Sequence, residues 1–111
     1  MKLEVGNYVR TIDGFLWKPK KIEIDEDGCY LFDDYYYFEP EQIYKSSNNI
    51  KDLIEVGDII TYEFPTGLGM LRYENVTVLE DLLNILKSSD EYKILTIITR
   101  EQIESMQYKV D

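Results

Sequence analysis

The sequence predicts a mainly β fold of the α+β class, a small SH3-like β-barrel or sheet core with one or two short helices. Three observations lead to this prediction. Short apolar segments alternate with turn signals such as Asp13-Gly14 and Asp25–Gly28. Ten residues are tyrosine, which favours strands. Helical patterns are confined to the region of Leu79–Leu86 and to Glu101–Met106.

The first half of the chain is predicted to be β. Tyr8–Ile12 is followed, after a tight turn, by Phe15–Trp17, and the alternation of Lys21–Ile24 fits a half-buried strand. After the Asp25–Gly28 turn, Cys29–Phe38 is predicted as one strand. Three strands and two hairpins of this kind, with a short 3₁₀ turn after them, indicate the SH3-like barrel.

The second half is predicted to mix strands, turns and helices. Ile94–Ile98 is a fully apolar run, which predicts a central strand. Thr99 and Gln102 have the spacing of a capping box, with Thr99 as the N-cap of the last helix. The other predicted elements are a 3₁₀ turn at Glu39–Ile43, a helical turn at Ile50–Ile54 and strands at Ile59–Phe64, Met70–Tyr73 and Tyr108–Val110.

A short internal repeat bears on domain organisation. Leu3–Val9 recurs as Ile54–Ile60, and in both copies a Val-Gly-Asn/Asp turn leads into a strand. The length of 111 residues predicts a single domain over residues 1–111. The repeat admits two sub-sheets within it, residues 1–47 and 54–111.

Several kinds of chemistry are disfavoured by residue usage. The chain has no histidine, so the usual serine and cysteine triads and most transition-metal sites are not expected. Cys29 is the only cysteine, and without an activating histidine we expect a buried structural thiol. No glycine-rich phosphate loop is present. We therefore expect a protein that is not an enzyme and has no cofactor and no bound metal.

The charge balance bears on partners and compartment. Twenty-two acidic residues against twelve basic ones give a formal net charge of −10, which repels nucleic acids and anionic membranes and attracts basic surfaces. We therefore expect no direct nucleic-acid partner and no membrane partner. The single cysteine and the lack of an apolar run of about 20 residues predict a cytoplasmic protein.

The strongest local signal is an acidic segment with aromatic residues at its centre. Glu23–Glu41 contains eight acidic residues and no basic one. Along a strand, Tyr35 and Tyr37 lie opposite Tyr36 and Phe38, so one pair is exposed among carboxylates when the other is buried. Such a surface suits an arginine-rich partner. The candidate binding residues are Asp25, Glu26, Asp27, Asp33, Asp34, Tyr35, Tyr37, Glu39 and Glu41.

Two other interpretations concern the same part of the chain. The acidic segment also fits a solvated hairpin with aromatic cross-strand pairs and no binding role. Lys18–Lys21 beside Trp17 is a small basic patch with an aromatic residue, as a nucleic-acid site has. Against a net charge of −10 we interpret these lysines as partners for nearby acids.

Two stretches carry a resemblance to a known group of proteins. Lys45–Asp58 and Thr99–Val110, together with the opening Val5–Thr11, resemble small phage and prophage proteins of low-GC Gram-positive bacteria without assigned activity. The resemblance implies a phage origin and a bacterial host cell as the compartment. By analogy, small acidic phage proteins often inhibit host machinery, including CRISPR effectors.

The sequence thus leads to two hypotheses. In the first, a non-enzymatic acidic phage protein binds a basic host protein of the nucleic-acid-binding type. It mimics DNA by occupying the nucleic-acid groove of that protein. In the alternative, the chain is a structural, assembly or self-associating phage module that has no host target and forms a homo-oligomer.

Overall fold

The computed structural model describes residues 3–107 and 110. This part of the chain is mainly β, with three small antiparallel sheets and two short α-helices. The chain divides into two compact units, residues 1–53 and 54–111. The second unit starts where the second sub-sheet was predicted to start, and single-domain behaviour stays a prediction.

The first sheet of unit 1 is built around its opening strand. β1 (Tyr8–Thr11) pairs with β2 (Leu16–Trp17) and with β6 (Ile43–Ser47), in the order β2-β1-β6. The predicted tight turn joins β1 and β2, with Gly14 at φ +87°. A 3₁₀ turn over Pro40–Gln42 precedes β6, as predicted.

The second sheet of unit 1 corrects the sequence prediction. The stretch Cys29–Phe38 is two strands, not one, because Asp33 and Asp34 both take positive φ values of 53° and 59° and reverse the chain. The Tyr35 N–H donates to the Phe32 carbonyl at 3.0 Å and closes the turn. The sheet consists of β3 (Ile22–Ile24), β4 (Tyr30–Phe32) and β5 (Tyr36–Phe38), in that order.

The core of unit 1 is small and rich in aromatic residues. Leu3, Val9 and Phe32 are buried in it. Partly buried side chains surround them: Trp17, Ile22, Tyr30, Tyr36, Phe38 and Ile43. Arg10 is also fully buried, and its Nη1 donates to the Leu53 carbonyl at 2.8 Å, which ties β1 to a 3₁₀ turn over Ile50–Leu53. A buried guanidinium requires such acceptors, because leaving it without them costs several kcal/mol.

Unit 2 contains one sheet and both α-helices. Its strands are β7 (Ile59–Thr66), β8 (Gly69–Thr77) and β9 (Lys93–Ile98), in the order β8-β7-β9. The predicted central strand is therefore wrong: within residues 3–107, β9 pairs with β7 alone, and Ile98 is 38% exposed. An apolar run does not distinguish a central strand from an edge strand that a helix or loop shields on one face.

The helices follow the predicted patterns. α1 covers Glu80–Ser88, and its leucine stripe packs on the core of unit 2 formed by Ile54, Ile60, Tyr62, Val78 and Leu86. α2 covers Arg100–Met106, and the capping box is confirmed: Thr99 Oγ1 accepts from the Gln102 N–H at 3.3 Å. The strand predicted at Tyr108–Val110 falls on residues outside the described ones, apart from Val110. All three sheets are open, and the described residues contain no closed barrel.

The sequence repeat corresponds to one turn used twice. Gly6 and Gly57 take positive φ values of 92° and 97°, which explains the glycine at both places. The Asn7 N–H donates to the Glu4 carbonyl at 3.2 Å, and the Asp58 N–H donates to the Glu55 carbonyl at 3.1 Å. Each turn leads directly into the first strand of its unit.

Asp58 accepts side-chain hydrogen bonds in addition to the turn hydrogen bond that it shares with its counterpart Asn7. Its side chain is fully buried. One carboxylate oxygen accepts from the Glu55 N–H at 2.8 Å, and the other accepts from the Arg100 N–H at 2.9 Å. A single carboxylate therefore closes the turn before β7 and satisfies a free N–H at the start of α2.

We predict that Asp58→Ala lowers the free energy of unfolding by about 1–3 kcal/mol, because two N–H groups lose their acceptor in a buried position. Urea denaturation measures the change. The exposed Asp90→Ala is the control and should shift the midpoint little. Equal effects of the two variants would contradict the role of Asp58.

Candidate protein-binding surface

The sheet β3–β4–β5 has one buried and one exposed face. The cross-strand row Ile22–Phe32–Tyr36 points to the core, and the next row, Glu23–Leu31–Tyr37, lies on the other face. Tyr37 is 56% exposed and Tyr35, in the turn before β5, is 80% exposed. The expected alternation is therefore observed for Tyr36, Tyr37 and Phe38, whereas Tyr35 is exposed because it lies in the turn.

Tyr37 is held in place by the turn before β4. Its hydroxyl donates to Asp25 Oδ2 at 3.0 Å. Hydrogen bonds with the Cys29 side chain and the Asp25 carboxylate raise the pKa of Tyr37 well above its usual value. The phenol therefore stays protonated and presents a fixed ring edge at the surface.

Asp25 is a structural residue and not a free surface charge. Its Oδ1 accepts from the Asp27 N–H and the Cys29 N–H, both at 2.9 Å. The backbone hydrogen bond from Cys29, with weaker help from Tyr37 and Asp27, lowers the pKa of Asp25. Its lone pairs are committed to the β3–β4 turn, so little of its charge is left for a partner.

Asp33 is likewise used inside the unit. Its Oδ2 accepts from Trp17 Nε1 at 2.8 Å, and its Oδ1 accepts from the backbone N–H groups of Lys20 and Lys21 at 2.9 and 2.8 Å. The bond from Trp17 is the main cause of a lowered pKa of Asp33. Asp33 therefore joins the β4–β5 turn to β2 and to the segment that leads to β3.

Two further acids share one lysine. Lys21 Nζ lies 3.0 Å from Asp34 Oδ1 and 3.1 Å from Glu23 Oε1. Hydrogen bonds and attraction to these carboxylates raise the pKa of Lys21. The interpretation of the lysines as partners of nearby acids thus holds for Lys21. The charge of Asp34 is partly balanced as a result.

Four predicted acids remain as exposed charges. Glu26 and Asp27 lie in the β3–β4 turn that holds Tyr37, and Glu39 and Glu41 follow β5. The side chains of Glu39 and Glu41 interact, and this contact raises the pKa of Glu39. We call the set of Glu26, Asp27, Tyr35, Tyr37, Glu39 and Glu41 the acidic-aromatic face.

A second exposed surface is not evident from the sequence patterns used above. β9 pairs with β7 only as far as Glu63, so the end of the β7–β8 hairpin, residues 64–71, extends without a third strand. We call it the hairpin arm. Leu68 is fully exposed at its tip, and Met70 and Leu71 are 59% and 41% exposed. The sequence feature that could have identified it is Leu68, a large apolar residue between two turn glycines.

Comparison with protein-family models, with curated proteins and with solved structures gave no match. Across residues 3–107, no helix is long and apolar enough to cross a membrane. Within the same residues, no three cysteine, aspartate or glutamate side chains are grouped so as to hold a metal ion.

We predict that Asp33→Asn lowers the urea midpoint of unfolding at neutral pH. We also expect the midpoint of this variant to fall less than that of the parent protein when the pH is lowered. Because the pKa of Asp33 is lowered in the folded state, its stabilising contribution is present above the unfolded pKa of about 3.9 and is lost as the pH falls through the folded pKa. Denaturation at neutral pH and at about pH 3 measures both effects. Asp34→Asn, in the same turn, is the control, and an identical acid response of the two variants would count against the assignment.

Proposed function

We propose that this chain is a non-enzymatic phage or prophage protein whose acidic-aromatic face binds a basic host protein. The observation that carries the proposal is the exposure of two tyrosines, Tyr35 and Tyr37, together with four exposed carboxylates in the turn before β4 and in the segment after β5. The resemblance of Lys45–Asp58 and Thr99–Val110 to small phage proteins supports the origin. The bacterial cytoplasm is the proposed compartment.

The chemistry of this face suits arginine-rich surfaces. A guanidinium gains attraction from a tyrosine ring and from a nearby carboxylate at the same time. The hydrogen bond to Asp25 pre-orders Tyr37, so less side-chain freedom is lost on binding. Because the carboxylates are exposed, salt weakens the attraction over a screening length of about 8 Å at physiological ionic strength.

The class of partner we propose is a protein with a basic nucleic-acid groove, such as a nucleic-acid-processing or CRISPR effector. Such grooves accommodate duplex DNA, which carries about one charge per 1.7 Å of axis. A compact chain of net charge −10 is able to compete for that groove as a DNA mimic. For residues 1–53 we propose an SH3-like arrangement, supported by short antiparallel hairpins and the 3₁₀ turn before β6.

We predict that Glu26→Lys together with Glu41→Lys weakens partner capture about tenfold or more, whereas Glu91→Lys with Glu104→Lys does so much less at the same net charge. Each protein serves as bait in a lysate of a low-GC Gram-positive bacterium, at low and at high salt. Proteins retained at low salt and released at high salt are then tested for displacement of bound duplex DNA. Asp33 is left unchanged because its carboxylate holds the fold together.

Capture of only the bait itself or other phage proteins, at either salt concentration, would contradict the proposal. Equal loss of capture in the two double variants would also contradict it, because the acidic-aromatic face would then have no special role.

The alternative function, self-association, is supported by the strand β8 and by the hairpin arm in which it begins. Every residue of β8 except Val76 is exposed, and β8 is an edge strand in the described part of the chain. Antiparallel pairing of two β8 strands centred on Tyr73 would place Arg72 of each copy opposite Glu74 of the other. Such pairing would also cover Met70 and Leu71.

If self-association occurs through the hairpin arm, Leu68→Asp with Met70→Asp should convert a dimer into a monomer, because charges at the tip disfavour an apolar contact. Sedimentation equilibrium of the purified protein measures the mass. Glu91→Lys serves as a control on the same unit. A monomeric parent protein at high concentration rules this alternative out.

A further inference from the structure

We propose that unit 1 contains a binding pocket for a small anionic ligand with a planar ring, of the nucleoside monophosphate class. The pocket opens at the surface, has a volume of about 520 Å³ and is lined by Trp17, Lys18, Lys20 and Asp33. It uses none of the side chains of the acidic-aromatic face. The proposal therefore goes beyond the proposed function and does not depend on it.

The ring-binding element is an indole that is already fixed. Trp17 Nε1 donates to Asp33 Oδ2 at 2.8 Å, and the indole stacks on Phe15 with a centroid distance of 5.9 Å and an interplanar angle of 12°. Tyr36 packs against it at 4.8 Å in a tilted arrangement. A side chain held by three neighbours loses little freedom when a ligand ring stacks on it.

The anion-binding element is a pair of lysines. Lys18 Nζ lies 5.0 Å above the Tyr8 ring, which positions it, and Lys20 follows two residues later in the lining. Among residues 3–107 and 110, neither lysine forms an ion pair, in contrast to Lys21 with its two carboxylates. Among the described residues of the lining Asp33 is the only acid, and its oxygens already accept three N–H bonds. Its charge also attracts that of Lys20.

The size and charge of the pocket restrict the ligand. Its volume falls within the roughly 300–1,000 Å³ typical of small-molecule sites. Two ammonium groups against one carboxylate make the lining positive in a protein of net charge −10. A long nucleic-acid strand brings many phosphates close to the acidic surface and is repelled, whereas a ligand with a single phosphate interacts mainly with the lysines within a screening length of it.

A purine or pyrimidine joined to one phosphate combines the two features that the lining recognises. The ring stacks on Trp17, as bases stack on aromatic side chains, and the phosphate accepts hydrogen bonds from Lys18 and Lys20. A free nucleotide and the phosphorylated end of a short strand share this chemistry. The net charge favours the free nucleotide.

Intrinsic fluorescence tests the proposal directly, because Trp17 is the only tryptophan. Adenosine monophosphate is titrated into the whole protein, with excitation at a wavelength that tyrosine does not absorb. We expect saturable quenching at millimolar or lower concentration. Adenosine alone and inorganic phosphate alone should each bind at least about tenfold more weakly.

Two single variants of equal charge change complete the test. Lys20→Glu should raise the dissociation constant about tenfold or more, and Lys87→Glu, on α1 of the other unit, should change it by less than about twofold. Circular dichroism checks that both variants are folded. A 5′-phosphorylated oligonucleotide that binds more weakly than the mononucleotide confirms the free nucleotide as the ligand.

Three results would overturn the inference. The first is the absence of any saturable change in Trp17 emission with adenosine monophosphate. The second is an affinity for adenosine alone or for phosphate alone that equals the affinity for adenosine monophosphate, because the pocket would then not recognise both the ring and the phosphate. The third is an equal loss of affinity in Lys20→Glu and Lys87→Glu.

Discussion

The hydrogen bonds that the Asp33 carboxylate accepts are the interaction on which two surfaces of unit 1 depend, the pocket beside Trp17 and the acidic-aromatic face. It sits in a turn that requires a positive φ, where aspartate is tolerated better than most residues. From there it accepts N–H bonds from the Trp17 side chain and from the backbone of Lys20 and Lys21. One residue thus fixes the indole of the pocket and the hairpin that carries the exposed tyrosines.

This arrangement divides the acidic residues into two groups with different roles. Asp25 and Asp33 have lowered pKa values because N–H donors surround them, and they act as the hydrogen-bond centres of two turns. Glu26, Asp27 and Glu41 lie on the surface without such a role in the folding of the sheet. A count of charges along the sequence treats both groups alike. Removing a carboxylate of the first group would lower the stability of the fold, whereas removing one of the second group would not.

Features that depend on local chemistry could be predicted from the sequence. The turns at glycine, the capping box at Thr99 and the leucine stripe of α1 are all recognisable from a few adjacent residues. Features that depend on which strands pair could not be predicted from the sequence. Cys29–Phe38 has strand-forming residues throughout, so the break at Asp33 and Asp34 had no propensity signal other than the two aspartates.

The candidate site shows the same limit. The exposure of Tyr37 follows from strand alternation, which a sequence reveals, whereas Tyr35 is exposed because it lies in the turn before β5. The ion pair of Asp34 with Lys21, thirteen residues away, and the hydrogen bond from Trp17 to Asp33 depend on tertiary contacts. The edge position of β9 depends on the strand order, which its apolar composition does not encode.

The two glycine turns also have a consequence for the order in which parts of the chain fold. Each unit begins with a local turn. Three strand pairings of unit 1, β1–β2, β3–β4 and β4–β5, and one of unit 2, β7–β8, join strands that are adjacent in sequence. Among the strand pairings of residues 3–107, β1–β6 and β7–β9 are the two that close long loops. Closing a short loop costs less chain entropy than closing a long one, so the hairpins at the start of each unit are able to form before the long loops close.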